Sequence, residues 1–259
     1  MKYFLILFIL SFKIYGQKNP GPRFVSMGSG GIAMQDVWAV QQNPAGITGM
    51  KRPVLALAFQ RHLLDPDLST QSAVFVIPHR RSAFGLSLER YGFDAYKEQQ
   101  AGISYAMGFG HSLRLAIGVR YSQLSIVQYG SSNSFDVEAG FQFRITEKFT
   151  VASHLANPGG MRSGAGTPVR LSFGVLYTFT DRLVMITDVR KSFDYALDVM
   201  TGLEYKIVDW FSLRGGVSAN PFKQYAGFGL EYRKVSIEGA VSSHITLGYT
   251  PQISLGYEF

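Results

Sequence analysis

The chain has 259 residues, no cysteine, a formal net charge of +7 and an aromatic content of 14% in which Phe and Tyr dominate. The lack of cysteine excludes disulfides, thiolate metal sites, a cysteine nucleophile and a lipidated cysteine. The positive charge is scattered along the chain and gives no argument for nucleic-acid binding.

The first residues, MKYFLILFILSFKIYG, place Lys2 ahead of an apolar run that ends at Phe12 and is followed by small and polar residues. This order is typical of a secretory signal peptide. A transmembrane anchor is the alternative, but about ten apolar residues fall well short of the roughly 20 that a spanning helix needs. The sequence therefore predicts a cleaved signal peptide at residues 1–16 and an exported mature chain. Loss of Lys2 and Lys13 with it lowers the net charge to +5.

Residues 17–52 show no strand-like alternation and contain several glycines and prolines. Asp36 stands where it can cap the short apolar turn that follows it. Pro44 prevents a helix from continuing and biases Asn43 toward an extended backbone. We therefore expect a compact, kinked segment ahead of the regular structure.

From residue 53 onward, apolar and polar residues alternate in many successive segments. In FGLSLE, for example, Phe84, Leu86 and Leu88 share one face, while glycine and polar residues share the other. This pattern predicts about fourteen strands, near 53–62, 69–78, 81–91, 97–109, 111–126, 134–146, 148–156, 168–180, 182–191, 196–208, 210–219, 225–232, 234–243 and 251–259.

The connections between these strands alternate in length. Tight turns such as FGHS, ITEK, TFTDR and IVDW alternate with longer connections such as HLLDPDLS, YGSSNS and NPGGMRSGAGTP. An exported sheet with an even number of strands and this asymmetry is typical of an outer-membrane barrel, which must close because lipid cannot satisfy a sheet edge. A soluble β-sandwich would bury the same apolar face instead. Strands of about ten residues and aromatic residues near strand ends favour the barrel.

The sequence thus predicts an all-β protein: a transmembrane antiparallel β-barrel of about fourteen strands at residues 53–259, in the outer membrane of a Gram-negative bacterium. Residues 17–52 would fold inward from the periplasmic end and plug it.

Charges of both signs should then face one another in the lumen and pair, because an unpaired charge away from water is costly. One interpretation is a packing network that locks barrel and plug, and the other is a selectivity lining for a small polar solute. The charges are Arg114, Arg120, Arg144, Arg170, Lys206, Arg214, Asp136, Glu138, Asp198, Glu204, Glu231, Glu238 and Glu258.

No catalytic arrangement stands out in the sequence. The five histidines are dispersed, and most fall at turns or strand ends, where interfacial residues are common. Ser153 and His154 are adjacent, but neighbours on a strand point to opposite faces and cannot act as nucleophile and base. No metal-ligand spacing or phosphate-binding loop is present. We expect no enzyme activity, cofactor or metal site.

The chain ends in an aromatic strand, with Tyr257 and Phe259 on one face. This ending resembles the signal by which bacterial outer-membrane barrels are recognised by their assembly machinery. We therefore assign these two residues a predicted role in assembly.

Several short motifs in residues 23–47 resemble a known family. RFVSMG, then GGIAM, Asp36 and the Asn43-Pro44-Ala45-Gly46 turn are similar to the N-terminal region of the FadL-like superfamily. The match is closest to the PorV and PorQ proteins of the type IX secretion system of Bacteroidota. The resemblance implies a fourteen-stranded barrel with an N-terminal plug. We predict that Trp38 anchors this plug and that Asp36 and Asn43 fix its backbone.

Two functions follow from this resemblance. The first is a non-enzymatic subunit or adaptor of a larger outer-membrane complex for protein export or barrel assembly, with other outer-membrane proteins and lipid or lipopolysaccharide as partners. The second is a FadL-like transporter of a hydrophobic or small amphiphilic compound, which a lateral opening or an inward strand kink would favour. FadL-type transporters resemble one another in having large extracellular loops that capture ligand, whereas the connections here are short. The sequence therefore favours the adaptor.

Overall fold

The computed structural model describes residues 20–65, 68–161, 168–193, 195–244 and 248–259. The signal peptide predicted at residues 1–16 lies outside these ranges. The described residues form fourteen strands: β1 (Val54–Arg61), β2 (Ser69–His79), β3 (Ser82–Phe93), β4 (Tyr96–Phe109), β5 (Leu113–Ile126), β6 (Gly130–Arg144), β7 (Phe149–Ala156), β8 (Arg170–Thr180), β9 (Leu183–Ser192), β10 (Asp198–Val208), β11 (Phe211–Ala219), β12 (Phe222–Tyr232), β13 (Val235–His244) and β14 (Gly248–Glu258).

The strands form one closed antiparallel barrel in chain order. Strand β1 closes it by pairing with β14, from Val54 opposite Glu258 to Gln60 opposite Gln252. The predicted fourteen-stranded transmembrane barrel is therefore confirmed. Closure gives every strand two neighbours, which removes the unpaired edge that lipid would not tolerate.

The alternation in the sequence corresponds to the two faces of the wall. Large apolar side chains point outward, and Leu88, Ile103 and Ile117 remain 61%, 64% and 64% exposed. The residues between them are mostly small or polar and point inward, where many are buried. A soluble sandwich would have buried the apolar face, so its exposure agrees with a wall that faces lipid.

Three strands, β6, β12 and β14, begin at least three residues earlier than the sequence predicted, and the first two correct the expected loops. Strand β6 begins at Gly130, so most of YGSSNS is strand and only a short turn joins it to β5. Strand β12 begins at Phe222, which leaves a tight turn after β11. Strands β3 and β4 are likewise joined by only two residues. Polar residues on both faces hide the alternation at these strand ends.

Residues 20–52, which we call the N-terminal segment, pack against the inner face of the wall. They contain the helices α1 (Pro22–Ser26) and α2 (Ala39–Gln42) and a 3₁₀ helix at Pro44–Gly49. Helix α1 contacts β11–β14, and the 3₁₀ helix contacts β2–β6 on another side. No helix in the described ranges is long and apolar enough to cross a membrane.

Candidate functional site

The contact between the N-terminal segment and the inner wall brings together most of the residues singled out from the sequence. Asp36 Oδ1 accepts a hydrogen bond from Trp38 N–H at 2.9 Å. This bond closes a turn just ahead of α2, whose own N-cap is Trp38 and has no side-chain cap hydrogen bond. The same side chain uses Oδ2 to bind Arg23, so one carboxylate serves both the backbone and a charge cluster.

Asn43 joins two parts of the segment to the wall. Its Oδ1 accepts from Ala45 N–H at 3.2 Å, which caps the 3₁₀ helix that begins at Pro44. Its Nδ2 donates to the carbonyl oxygens of Ile32, at 2.9 Å, and Phe141 of β6, at 3.2 Å. The backbone of Asn43 is extended, as expected for a residue that precedes proline.

The rest of the Asn-Pro-Ala-Gly turn is needed for close packing. A Cβ atom on Gly46 would lie 2.4 Å from the carbonyl oxygen of Met34. A side chain at Gly46 would therefore push the backbone at Met34 away from the 3₁₀ helix. Ala45 is fully buried beside it. On the wall, a Cβ on Gly140 would lie 2.2 Å from Asn43 Oδ1. Small residues on both sides therefore permit the contact.

Trp38 is 1% exposed and is the largest fully buried side chain among the described residues. Gly21, at φ 84°, passes over its ring, and a Cβ atom there would lie 2.3 Å from the indole. Trp38 belongs to an apolar cluster made by the segment and the wall. The cluster includes Phe24, Met27, Met34, Val37, Val40 and Ile47 of the segment and Val74, Val76, Ala83, Ala106, Ala116 and Ile186 of the wall.

Polar side chains of the wall hold the backbone of the segment. Asp188 Oδ2 accepts from the N–H groups of Gly31 and Ile32 at 2.6 and 3.0 Å. Gln142 Nε2 donates to the carbonyl oxygens of Ile32 and Met34 at 2.9 and 3.0 Å. Sequence reasoning missed both wall residues. The alternation in the sequence predicts which strand residues point inward, but it does not indicate which part of the N-terminal segment they contact.

A central charge cluster crosses from the segment to three strands. Arg23 binds Asp36 at 2.9 Å and Glu204 of β10 at 2.7 Å. Arg214 of β11 binds the same Glu204 at 2.6 Å and Glu238 of β13 at 3.1 Å. Burial disfavours the charge on Arg23, but the carboxylates of Glu204 and Asp36 outweigh it and hold the pKa of the guanidinium above its usual value.

A second buried cluster lies on the other side of the barrel. Glu138 of β6 is 3.4 Å from Arg120 of β5 and 3.3 Å from His154 of β7, and all three side chains are buried. The interpretation of the histidines as interfacial residues is wrong for His154. This residue lies inside β7 and points inward, because it has the same parity as its inward neighbours on the strand.

Arg170 of β8 lies within electrostatic reach of Arg120 and Glu138 of the second cluster. Arg144 donates to the carbonyl oxygen of His111 in a turn, and Asp198 accepts from the N–H of Asn220 in another turn. The rest lie on the inward face or at the rims: Arg114, Asp136, Arg170 and Lys206 are partly buried, Glu231 is exposed beside a turn, and Glu258 forms an exposed pair with Arg52 at 3.0 Å. The predicted lumen charges thus lie in two clusters, with further charges on the inward face and at the rims.

The C-terminal aromatic residues lie at the closing seam. Tyr257 and Phe259 make an edge-to-face contact at 5.1 Å between ring centroids, and Phe259 also meets Phe75 of β2. The N–H of Phe259 donates to the carbonyl oxygen of Pro53, just ahead of β1. The two ends of the barrel wall are thus tied together at the same rim.

Each strand of the wall is paired with both of its neighbours, but β7 pairs only with Glu138–Arg144 of β6, so residues 130–137 of β6 have no strand partner on that side of the described wall. Its only shifts in register lie between Thr178 and Thr180 in β8 and between Lys206 and Val208 in β10, both next to tight turns.

No protein-family model and no curated protein matches the sequence. Solved structures do resemble the fold. The toluene transporter TbuX of Ralstonia pickettii has a TM-score of 0.72 at 14% identity, over 92% of this chain and 98% of that one. A FadL homologue of Pseudomonas aeruginosa gives 0.68 at 14% identity, and the toluene transporter TodX of Pseudomonas putida gives 0.69 at 13%, each over 92% of this chain and 98% of that one. The chain therefore has the barrel fold of FadL-type transporters.

Proposed function

We propose that the protein is a FadL-like outer-membrane transporter of a hydrophobic or small amphiphilic compound. The observation that supports this proposal is the shared architecture over nearly the full length of both this chain and transporters described as carrying toluene. This likeness favours transport over the adaptor role that the sequence suggested. The apolar outward belt agrees with residence in an outer membrane.

Transport requires the N-terminal segment to move, because its side chains occupy the inner face of many strands. The segment is held by separable sets of contacts: α1 on β11–β14, the hydrogen bonds of Asp188 and Gln142, and the apolar contacts of the 3₁₀ helix with β2–β6. Release of one set leaves the others in place. We infer that a partial displacement of the segment opens the path while the wall stays closed.

A reversible cross-link tests this proposal directly. The natural chain has no cysteine, so introduced thiols have no competitors. A Cβ atom on Gly85 of β3 would lie 2.8 Å from a Cγ atom of Val40. This approach suits a disulfide between Val40→Cys and Gly85→Cys. The single variants serve as controls, and Gly85→Cys also shows whether the nearby Ser104 accommodates the new side chain.

The measurement is the initial rate of uptake of radiolabelled toluene and octanoate by Gram-negative cells that produce the protein. We expect the natural protein to raise the rate of one of them severalfold over an empty vector. The oxidised double variant should fall to the vector rate and recover on reduction, while both single variants stay active. A natural protein no better than the vector would disprove transport, and an oxidised variant as fast as the reduced one would disprove segment movement.

The second candidate function is the adaptor in an export or assembly complex. It is favoured by the closed barrel and the two charge clusters, which suit a rigid barrel that offers its outer surface to other proteins. Extraction of the native protein in mild detergent, followed by mass spectrometry, separates the two. A stable assembly with other proteins supports the adaptor, whereas a lone barrel that carries a small hydrophobic compound supports the transporter.

A further inference from the structure

A groove of about 550 Å³ runs along the outward side of strands β1–β5. Its apolar lining is a single row across the five strands, in which Leu57, Ala73, Leu88, Ala101 and Tyr121 stand opposite one another in turn. Large side chains alternate with alanine in this row. The small side chains of the two alanines leave a depression in the outer surface of the wall, between the larger leucine and tyrosine side chains on either side.

A second outward groove of about 310 Å³ adjoins the first across the closing seam. It shares Leu57 with the first groove and is lined further by Phe59 of β1, Ile237 of β13, and Ile253 and Leu255 of β14. The two grooves together form an apolar trough on both sides of Leu57. Such a trough accepts more than one hydrocarbon chain.

A row of polar side chains borders the first groove on the side toward the longer connections. Gln71 of β2, Arg90 of β3 and Gln99 of β4 stand opposite one another, point outward and are exposed. All three line the groove. Within the described part of the chain, no carboxylate forms an ion pair with Arg90. Its guanidinium therefore faces the edge of an apolar trough with its hydrogen-bond donors available.

All charged side chains on the outward face of β1–β5 are basic. This face carries Arg61, Arg90 and Lys97 near the longer connections and no Asp or Glu at any outward position. Lys97 pairs with Asp94 of the β3–β4 turn at 3.2 Å, which leaves the two arginines to face the surroundings. This arrangement is complementary to an anion that sits above hydrocarbon.

The level of the polar row identifies the leaflet. Longer connections mark the extracellular end of an outer-membrane barrel, and the polar row begins where the apolar belt ends at that side. A lipid headgroup lies at this boundary, and its phosphate oxygens suit the planar donors of arginine. Gln71 and Gln99 add neutral donors on either side.

We propose that this trough is a specific binding site for a phosphorylated, multiply acylated lipid of the outer leaflet, with its phosphate on Arg90 and its chains in the two grooves. The site is independent of what passes through the barrel. It uses only the outer side of the wall, whereas the proposed transport uses the inner side and the N-terminal segment.

The test is native mass spectrometry of the intact barrel in a neutral detergent, with purified lipid A as the probe. We expect the natural protein to retain one lipid A molecule. Arg90→Gln removes a charge-assisted hydrogen bond and should weaken retention roughly tenfold or more. Ala101→Phe fills the depression and should weaken it similarly, while Arg90→Lys, which keeps the charge, should retain more lipid than Arg90→Gln.

Two matched controls accompany these variants. Lys191→Gln removes an outward charge on β9, and Ala226→Phe enlarges an outward alanine on β12, both away from the trough. Neither should change lipid retention. Heat-dependent migration in gel electrophoresis checks that each variant is a folded barrel.

Three outcomes would overturn the proposal. Equal retention by Arg90→Gln or Ala101→Phe and by the controls would place the lipid elsewhere. Equal retention of dephosphorylated lipid A would remove the role of the phosphate. A second copy of the barrel on this surface, detected as a dimer that excludes lipid, would identify a different occupant.

Discussion

At the scale of single residues, Trp38 and Glu204 carry the contact between the N-terminal segment and the wall in different ways. Trp38 contributes apolar area and is almost completely buried. Glu204 contributes charge, because it binds both Arg23 of the segment and Arg214 of the wall. Trp38 should determine how strongly the segment is bound to the wall. Glu204 should in addition affect the stability of the barrel.

Trp38→Ala should loosen the segment without unfolding the barrel. Loss of a buried tryptophan costs about 3–5 kcal/mol, and here the cost falls on the contact between segment and wall. The measurement is protease cleavage within residues 20–52 of the purified barrel, which should become faster, while the folded band in gel electrophoresis persists. Trp210→Ala is the control, since Trp210 is 58% exposed in a turn. Equal cleavage in the two variants would contradict the anchoring role of Trp38.

Glu204→Gln should destabilise the protein by about 3 kcal/mol, because it leaves the buried Arg214 and the partly buried Arg23 short of one carboxylate. The matched control is Glu258→Gln, which breaks the exposed pair with Arg52 and should cost less than about 1 kcal/mol. The readout is the temperature at which the folded barrel converts to the unfolded band in detergent. Similar shifts in both variants would mean that the central cluster adds no more than a surface pair.

At the scale of elements, the approach of α1 to the wall depends on glycine in two neighbouring strands. A Cβ atom on Gly202 of β10 would lie 2.6 Å from Met27 Cα, and one on Gly216 of β11 would lie 2.4 Å from Gly28 N. The backbone of the segment thus lies directly on the backbone of the wall. Gly202 and Gly216 thus provide the space that this close approach requires.

Gly216→Ala should therefore displace α1, and the new Cβ atom would also lie 2.9 Å from the carbonyl oxygen of Thr201 on β10. The adjacent Gly215→Ala is a matched control, because Gly215 points outward and its Cβ would meet nothing closer than 3.8 Å. Overpacking of this kind costs about 1–3 kcal/mol. We expect faster protease cleavage of the segment and a lower unfolding temperature for Gly216→Ala alone. A Gly215→Ala variant that behaves the same way would indicate a general requirement for glycine in β11.

At the scale of the whole molecule, the closure between β1 and β14 makes the barrel one cooperative unit. Every described strand has a partner on each side, so no single strand can leave without breaking two ladders. The C-terminal aromatic residues lie at this seam, where Phe259 also binds the backbone ahead of β1. Their predicted role in assembly and their contacts in the folded barrel can be separated by experiment.

Phe259→Ala should lower the amount of folded barrel in the cell membrane severalfold and leave refolding of the purified protein in detergent nearly unchanged. The physical reason is that Phe259 is more than half exposed at the rim, so its removal costs little packing, whereas the role in assembly that we predict for Phe259 requires the side chain itself. Tyr249→Ala, an exposed aromatic at the other end of β14, is the control. Loss of refolding in detergent would show that the residue acts through stability.

The sequence by itself determined the closed barrel, the strand count and the direction of each strand's side chains, because a period of two and the need to satisfy every backbone group in lipid leave little freedom. Local chemistry also determined the extended backbone of Asn43 ahead of Pro44. Only the tertiary structure decided that Asp188 and Gln142 hold the segment, that Arg23 joins Glu204, and that His154 faces Glu138. Those partners are far apart in the chain, and their meeting depends on how the segment turns inside the wall, which no local pattern encodes.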